Sequence, residues 1–509
     1  MYIQLMTNFD VFIIGTGTAG DTAAAILRDA GLTVAIADND DYGGTCALRG
    51  CQPKKYLVVP AHAALEGAGL TQRGFVEKPR LDWAAIQRSR AEFTDAVPGG
   101  TEDGLREQGI TTFHGTCRFL DAETVQCGSE TIRAKRILVA AGARPRPLPI
   151  PGGEFARSSD DFLNLPVLPQ HITFIGGGYI SMEFATVAVA AGAEVTVLQR
   201  GDRVMDRFDP DLVDELQRGC AARSIDIVTN AETASITSNG DGGSNGGNSA
   251  SRAARDAGRP GAQARQDART RPFTVNLADG TTIETDLVLA ALGRVPNTDT
   301  LDLENAGIEA SPRGVATDGT MKTSVPSVYA AGDCVASIQL SPVSDAEARV
   351  AARNIILDLV GPDGAPGGVG GAASDTGGTA TSDRGSTSNA DRPRLDLSVL
   401  PTVVFTYPQL AQFGLSDAEA QERGGIRINT GSGAGWPNYR RLNESNVMYK
   451  VMIDEETDRI LGAHILAPNA GELVNLLALA AKAGTPAREF REFPWAYPTY
   501  TSDLKYMLG

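Results

Sequence analysis

The stretch Phe9-Asp10-Val11-Phe12-Ile13-Ile14-Gly15-Thr16-Gly17-Thr18-Ala19-Gly20 decides how this chain reads. A short apolar run ends in a glycine turn, and an alanine-rich helical stretch follows over Asp21–Ala30. A second strand, Thr33–Ala37, then ends at Asp38. Strand, glycine turn, helix, strand and acid in that order make a dinucleotide fingerprint in its required setting. Gly15, Gly17 and Gly20 let the backbone approach a pyrophosphate, and the helix N-terminus supplies N–H donors to it. Asp38 is placed to bind a ribose hydroxyl pair.

Just behind this unit runs Gly43-Gly44-Thr45-Cys46-Ala47-Leu48-Arg49-Gly50-Cys51-Gln52-Pro53-Lys54-Lys55. The spacing lets the sulfurs of Cys46 and Cys51 face one side of a helical turn, with Gly50 and Pro53 tightening the backbone around them. A structural disulfide closing so short a loop removes little unfolded-state entropy. Two reduced, buried thiols are the plainer alternative. The position after a phosphate-binding turn favours a redox-active dithiol.

A second fingerprint begins at Ile172. His171–Ile175 leads into Gly176-Gly177-Gly178-Tyr179-Ile180-Ser181, then a helix over Met182–Ala191 and a strand over Glu194–Leu198. Ser181 takes the place of the third glycine and is still small enough for close packing of helix on strand. The second strand runs into Gln199 and Arg200, with Arg203 and Arg207 close behind. A site for NAD wants a carboxylate there, whereas guanidinium groups can hold a 2′-phosphate, which points to NADP. Surface arginines in an arginine-rich chain are the competing explanation.

The 509 residues suggest about three domains, and 42% of them are hydrophobic, enough for proper cores. No 18-residue apolar run could span a bilayer. Met1–Asn8 lacks the basic-then-apolar pattern of a secretory leader, and six cysteines do not make a disulfide scaffold. A cytoplasmic protein is therefore expected. The net charge of −16 argues against nucleic acid or an anionic membrane surface as partner. Only eight of the 46 basic residues are lysine, which suits a salt-rich cytoplasm or simply a GC-rich genome. Asn239–Arg271 and Pro362–Pro393 hold almost no large apolar residues and read as solvated insertions without catalytic roles. Patterning returns with strand-like Leu400–Thr406 and Met448–Ile453 and an apolar helix over Gly471–Ala483.

With these pieces in place the chain resembles the FAD-dependent pyridine nucleotide-disulfide oxidoreductases of the glutathione reductase type. Besides the first fingerprint and the dithiol, the resemblance covers Ala140-Ala141-Gly142-Ala143-Arg144-Pro145 and Ala290-Ala291-Leu292-Gly293-Arg294-Val295-Pro296-Asn297. These look like the crossings out of and back into an FAD domain. Tyr329-Ala330-Ala331-Gly332-Asp333 is similar to the second FAD motif, whose aspartate binds the ribityl chain. Pro401–Thr406 and Gly462–Leu466 resemble the interface domain of a homodimer. The implied fold is α/β: two Rossmann-like three-layer domains, for FAD and NAD(P), plus an α+β C-terminal dimerisation domain. The implied boundaries are 1–152 and 293–361 for FAD, 153–292 for NAD(P), a linker at 362–393 and an interface domain at 394–509.

The resemblance also implies roles. Hydride passes from NADPH to FAD, and the flavin reduces a Cys46–Cys51 disulfide. Cys51 lies against the flavin and Cys46 attacks the substrate. Gly44, Thr45, Gly142, Gly293, Arg294 and Asp333 belong to the FAD site, and Gly176, Gly178, Tyr179 and Arg200 to the NADPH site. Tyr179 gates the nicotinamide pocket. Lys55 and Glu183 match an ion pair beside the flavin, and ordinary surface charge is the alternative. Arg349 matches a substrate-contacting arginine or is a plain helix-surface residue. No metal is expected.

One departure limits the match. Thiol-processing members end with His-Pro-Thr and a glutamate, whereas this chain has Tyr497-Pro498-Thr499-Tyr500-Thr501-Ser502-Asp503. None of its histidines (His62, His114, His171, His464) lies there. A phenol near pKa ~10 can donate a proton to a leaving thiolate but is a poor base at neutral pH. Disulfide reduction is thus favoured over dithiol oxidation, which weighs against dihydrolipoamide dehydrogenase. A mercuric reductase is similar in carrying tyrosine there. It needs a C-terminal cysteine pair, however, and no cysteine follows Cys334. Glutathione reductases also carry an arginine in the first helix, where this chain has Ala24-Ala25-Ile26. The favoured substrate is therefore a small-molecule disulfide lacking the glycine, bis-γ-glutamylcystine.

Overall fold

The computed structural model describes residues 6–239, 271–362 and 392–509. Apart from their ends, the insertions expected over Asn239–Arg271 and Pro362–Pro393 lie outside the described residues. Two units are distinct. One comprises Met1–Lys54, Ala91–Pro145 and Arg294–Leu397, the other Lys55–Arg90, Arg146–Gly293 and Ser398–Gly509.

The first unit is built around strand Thr7–Ile14. It pairs in parallel with Val34–Asp38 on one side and Glu130–Val139 on the other, with Val11 opposite Val34 and Arg136. Thr111–His114 extends the sheet beyond Val34–Asp38, and Val328–Ala330 pairs in parallel with Ile137–Val139. Val11, Phe12 and Ile13 are fully buried, the mark of a parallel strand covered on both faces. Burying one such side chain is worth about 1.5–3 kcal/mol. The helix Thr18–Asp29 packs against the helix Ser341–Leu359, so the second glycine-rich motif reaches the sheet that carries the first. Strands Cys117–Phe119 and Thr124–Cys127 form an antiparallel hairpin on the N-terminal half of Glu130–Val139. Near the end of its helix, Asp358 collects Arg136 at 3.1 Å, Lys322 at 3.1 Å and Arg392 at 2.7 Å. Burial pushes that carboxyl up, but the three cations outweigh it and hold it at about 2.

The second unit holds a parallel sheet in the order Ile225–Val228, Glu194–Leu198, His171–Ile175, Leu287–Ala290. The helix Tyr179–Ala190 is buried from Ser181 to Ala188, as its nearly unbroken apolar sequence requires. An antiparallel sheet of Thr233–Ser238, Phe273–Leu277 and Thr282–Thr285 follows. The Asn239 N–H donates to the Pro272 carbonyl at 2.9 Å, so the end of Thr233–Ser238 and the start of Phe273–Leu277 meet. The C-terminal part is a five-stranded antiparallel sheet ordered Thr402–Val404, Gln409–Gly414, Ile460–Ala467, Met448–Asp454, Ile426–Ser432. The helix Ala470–Ala483 packs against it. Buried Lys450 bonds to Asp209 at 3.0 Å, Asp211 at 2.7 Å and Asp417 at 2.9 Å, tying this sheet to the helix Pro210–Ala222.

Two parallel sheets entered through glycine turns, with an α+β C-terminal part, make the α/β class expected from the sequence. Among the described residues no helix is long and apolar enough to cross a membrane.

Candidate active site

The glycine turn of the first unit forms because side chains have no room in it. Gly15 has φ +109°, and a Cβ there would land on the Ala140 carbonyl. One on Gly20 would land on the Gly15 carbonyl. Gly44, at φ +65°, faces Gly17 so closely that its Cβ would fall on the Gly17 Cα. Asp38 closes the turn: its Oδ2 accepts the Thr16 N–H at 2.8 Å and the Thr16 hydroxyl at 2.7 Å. This leaves a side-chain-free cradle at the N-terminus of Thr18–Asp29, which fits a dinucleotide pyrophosphate. Of the crossings expected at Ala140–Pro145 and Ala290–Asn297, the parts Ala143–Pro145 and Arg294–Pro296 pair antiparallel in the first unit. Arg294 reaches the Ala143 carbonyl and, at 3.3 Å, the Thr45 hydroxyl. Its buried Nε has no hydrogen-bond partner among the described residues, a donor left for a bound group. Asp333 is kept half-buried, which pushes its carboxyl up while Arg294 pulls it down. Gly142 adopts φ +66°, and its carbonyl accepts the Asn297 N–H at 2.9 Å.

The dithiol sits beside this cradle. Cys46 lies in the short helix Gly44–Leu48 and Cys51 opens the helix Cys51–Gly69. The two are thus not on one helical turn, as the spacing suggested. Arg49 and Gly50 break the helix, and Gly50 presses so close to the Thr45 carbonyl that a Cβ would sit 2.8 Å from it. Both sulfurs lie 3.3 Å from the Ser341 hydroxyl. The Cys46 thiol is pushed up, first by its hydrogen bond to Cys51 and then by burial, while Ser341 pulls it down. Cys51 stands at the N-terminus of its helix.

In the second unit Gly176 has φ +102°, and a Cβ there would sit 2.6 Å from the Ala291 carbonyl. Gly178 precedes the helix Tyr179–Ala190, and Tyr179 is exposed at its first turn. Gln199 Oε1 accepts the Gly177 N–H at 2.9 Å, so an amide occupies the place of the carboxylate. Arg200 is exposed, and Arg203 lies 3.7 Å from Asp214. Lys55 and Glu183 converge on Phe405: the ammonium stands 3.4 Å from its ring centroid, and the carboxylate accepts its N–H at 2.8 Å. Gly293, at φ +88°, gives its carbonyl to the Arg146 N–H at 3.0 Å.

Tyr497 is 69% exposed, in a segment ahead of the helix Tyr500–Met507. Asp503 is buried and bonded by Asn438 at 2.8 Å. Arg349 bonds along its own helix to Asp345 at 2.8 Å, and Asp345 also accepts the Thr22 hydroxyl at 2.8 Å. Sequence reasoning missed Ser341, whose only signal was the Ser-Pro start of a helix. It also gave no sign that Cys117 and Cys127 pair, because nine intervening residues hide a hairpin that sets them opposite each other.

A family model described as pyridine nucleotide-disulphide oxidoreductase matches residues 9–348, and that family's dimerisation domain matches 400–508. A glutathione reductase from a Nostoc species is 28% identical over 98% of this chain and 99% of its own length. A dihydrolipoyl dehydrogenase from Haloferax volcanii is also 28% identical, over 97% of this chain and 94% of its own. Among solved structures, the HOCl-induced flavoprotein disulfide reductase RclA from Escherichia coli superposes with a TM-score of 0.78 and 25% identity. That match covers 98% of this chain and 99% of RclA. The chain belongs to the pyridine nucleotide-disulphide oxidoreductases, flavoprotein enzymes that act on sulfur groups with FAD and NAD(P)H.

Proposed function

We propose that this enzyme is an NADPH-dependent reductase of a low-molecular-weight disulfide, with bis-γ-glutamylcystine as the favoured substrate and oxidised glutathione next, serving cell redox homeostasis. The observation that carries the reading is the convergence of Cys46 and Cys51 on the Ser341 hydroxyl, 3.3 Å from each. FAD, which Gly15, Gly17, Gly20, Gly44, Arg294 and Asp333 would hold, would supply from NADPH the two electrons that keep the pair reduced. Cys46 attacks one sulfur of the substrate, releasing one thiol and forming a mixed disulfide. Cys51 then attacks Cys46, the second thiol leaves, and the Cys46–Cys51 disulfide closes the cycle. Ser341 donates to whichever sulfur carries the charge, and Tyr497 is assigned the proton donated to the leaving thiolate. Lys55 and Glu183 are assigned to the flavin, Arg200 to the 2′-phosphate, Tyr179 to the nicotinamide gate and Arg349 to the substrate.

The dimerisation-domain match supports a homodimer. Charge −16 and scarce lysine support a salt-rich cytoplasm. Dihydrolipoamide oxidation is the second reading, because the two named relatives stand at the same 28% identity. Gln199 and Arg200 at the end of the second nucleotide strand favour NADPH and so the first reading. Steady-state turnover in high salt with bis-γ-glutamylcystine, oxidised glutathione, lipoamide and Hg(II), each with NADPH and NADH, decides between them. Preference for lipoamide with NADH overturns the proposal, and preference for Hg(II) replaces it with a metal reductase.

A further inference from the structure

Cys117 and Cys127 are cross-strand neighbours in the hairpin Cys117–Phe119 and Thr124–Cys127. The Gly128 N–H donates to the Thr116 carbonyl at 3.2 Å, and the Leu120 N–H to the Thr124 carbonyl at 2.9 Å. Hydrogen-bonded pairs therefore fall at 116/128 and 120/124, and the alternation makes 117/127 a non-hydrogen-bonded pair. Cα atoms in such a pair stand about 4.5 Å apart, within the ~4.4–6.8 Å range of a disulfide. Both side chains turn inward, whereas Arg118 and Gln126 between them project outward and bond to each other at 2.7 Å. The two thiols share one acceptor, the Gly115 carbonyl, 3.9 Å from Cys117 and 3.4 Å from Cys127. The Gly115 N–H in turn donates to the Asp38 carbonyl at 2.8 Å, so the pair adjoins the end of the strand bearing the fingerprint acid.

We propose that Cys117 and Cys127 are a second redox dithiol, which small hydroperoxides convert to a reversible cross-strand disulfide independent of Cys46 and Cys51. The hydrogen bond between them divides the roles. Cys117 is pushed up by it and keeps its proton, while Cys127 is held down by it. Cys127 gives up its proton and attacks one peroxide oxygen, the O–O bond breaks, and the sulfur becomes a sulfenic acid as the other oxygen takes up the proton and leaves as water or alcohol. Cys117 then attacks that sulfur, the S–O bond breaks, its proton and the hydroxide leave as water, and the S–S bond forms. Two thiols have lost two electrons to one peroxide. A dithiol reductant reverses the bond by exchange.

The test uses the FAD-loaded full chain treated with hydrogen peroxide, denatured in N-ethylmaleimide and digested with trypsin. Cleavage at Arg106, Arg118 and Arg133 puts the two cysteines on separate peptides, 107–118 and 119–133. The expected result is a linked pair of these peptides that dithiothreitol abolishes, formed equally in the C46S/C51S variant. In C117S, dimedone should trap a sulfenic acid on Cys127, whereas in C127S Cys117 should stay unmodified. Full maleimide labelling of both cysteines after peroxide, in a wild-type sample whose Cys46–Cys51 link has formed, overturns the proposal. That wild-type measurement stands even where a variant fails to fold.

Discussion

Replacing Arg200 and Arg203 by alanine should convert a cofactor preference into near-indifference. Arg200 is exposed and Arg203 sits 3.7 Å from Asp214, beyond hydrogen-bond length, so little ties either guanidinium down before a nucleotide arrives. A hydrogen bond to a charged group is worth about 1.5–3 kcal/mol. With the Arg203 side chain 37% exposed, solvent screening lowers this. About 1–2 kcal/mol per arginine, or roughly 5–30-fold in affinity, is a fair expectation. In the double variant KM for NADPH should rise by about 30-fold or more, while NADH, which has no 2′-phosphate, changes by less than about 3-fold. Adding Gln199→Glu should then raise kcat/KM for NADH. The new carboxylate can keep the bond that Gln199 makes to the Gly177 N–H at 2.9 Å and also offer an acceptor to the ribose. The assay is steady-state oxidation of each nucleotide at fixed disulfide, at two ionic strengths. An equal loss for NADPH and NADH, leaving their ratio where it was, would refute the reasoning.

Ser341→Ala removes the hydroxyl that the Cys46 and Cys51 sulfurs share, and with it a bond that pulls the Cys46 thiol down. The acid limb of the pH–rate profile should move to higher pH, with turnover near neutrality down by about tenfold and largely recovered in alkali; an unshifted profile counts against the assignment. Gly44→Ala puts a methyl onto the Gly17 backbone at φ +65°. A cost of about 1–3 kcal/mol is expected, read as a lower flavin-to-protein absorbance ratio in the purified enzyme and a lower Tm. Asp358→Asn releases three cations from a carboxyl held at about 2. The folded value lies below the unfolded one, so the stabilisation, about 2 kcal/mol, is complete above pH ~5 and fades as pH falls from ~4 towards ~2. Urea denaturation of both proteins should show their difference shrinking over that acid window, and a constant gap would assign the effect to packing.

Most of the fold was legible because its signals are local. Short apolar runs, the glycine turns at Gly15–Gly20 and Gly176–Ser181 and the cysteine spacing at 46 and 51 each depend on a few neighbouring residues. Each such motif confines the backbone through sterics that operate over one or two turns. Element ends moved by only a few residues: the first helix runs Thr18–Asp29, and the C-terminal helix Ala470–Ala483. The amide at Gln199 and the arginines after it were equally visible, since they follow directly from the strand end.

What needed tertiary structure was pairing across long stretches of chain. Ser341 lies 290 residues from Cys51, and nothing at either place announces the other until the helix Ser341–Leu359 is packed beside Thr18–Asp29. Lys55, Glu183 and Phe405 come from three remote stretches and meet only in the folded second unit. Cys117 and Cys127 faced each other only once the register of their hairpin was set, because a one-residue slip would have turned one sulfur outward. The sequence by itself determined the family and the two glycine turns, since local sterics write those into adjacent residues. The partners of each reactive group were decided by packing and strand register, which depend on the whole chain at once.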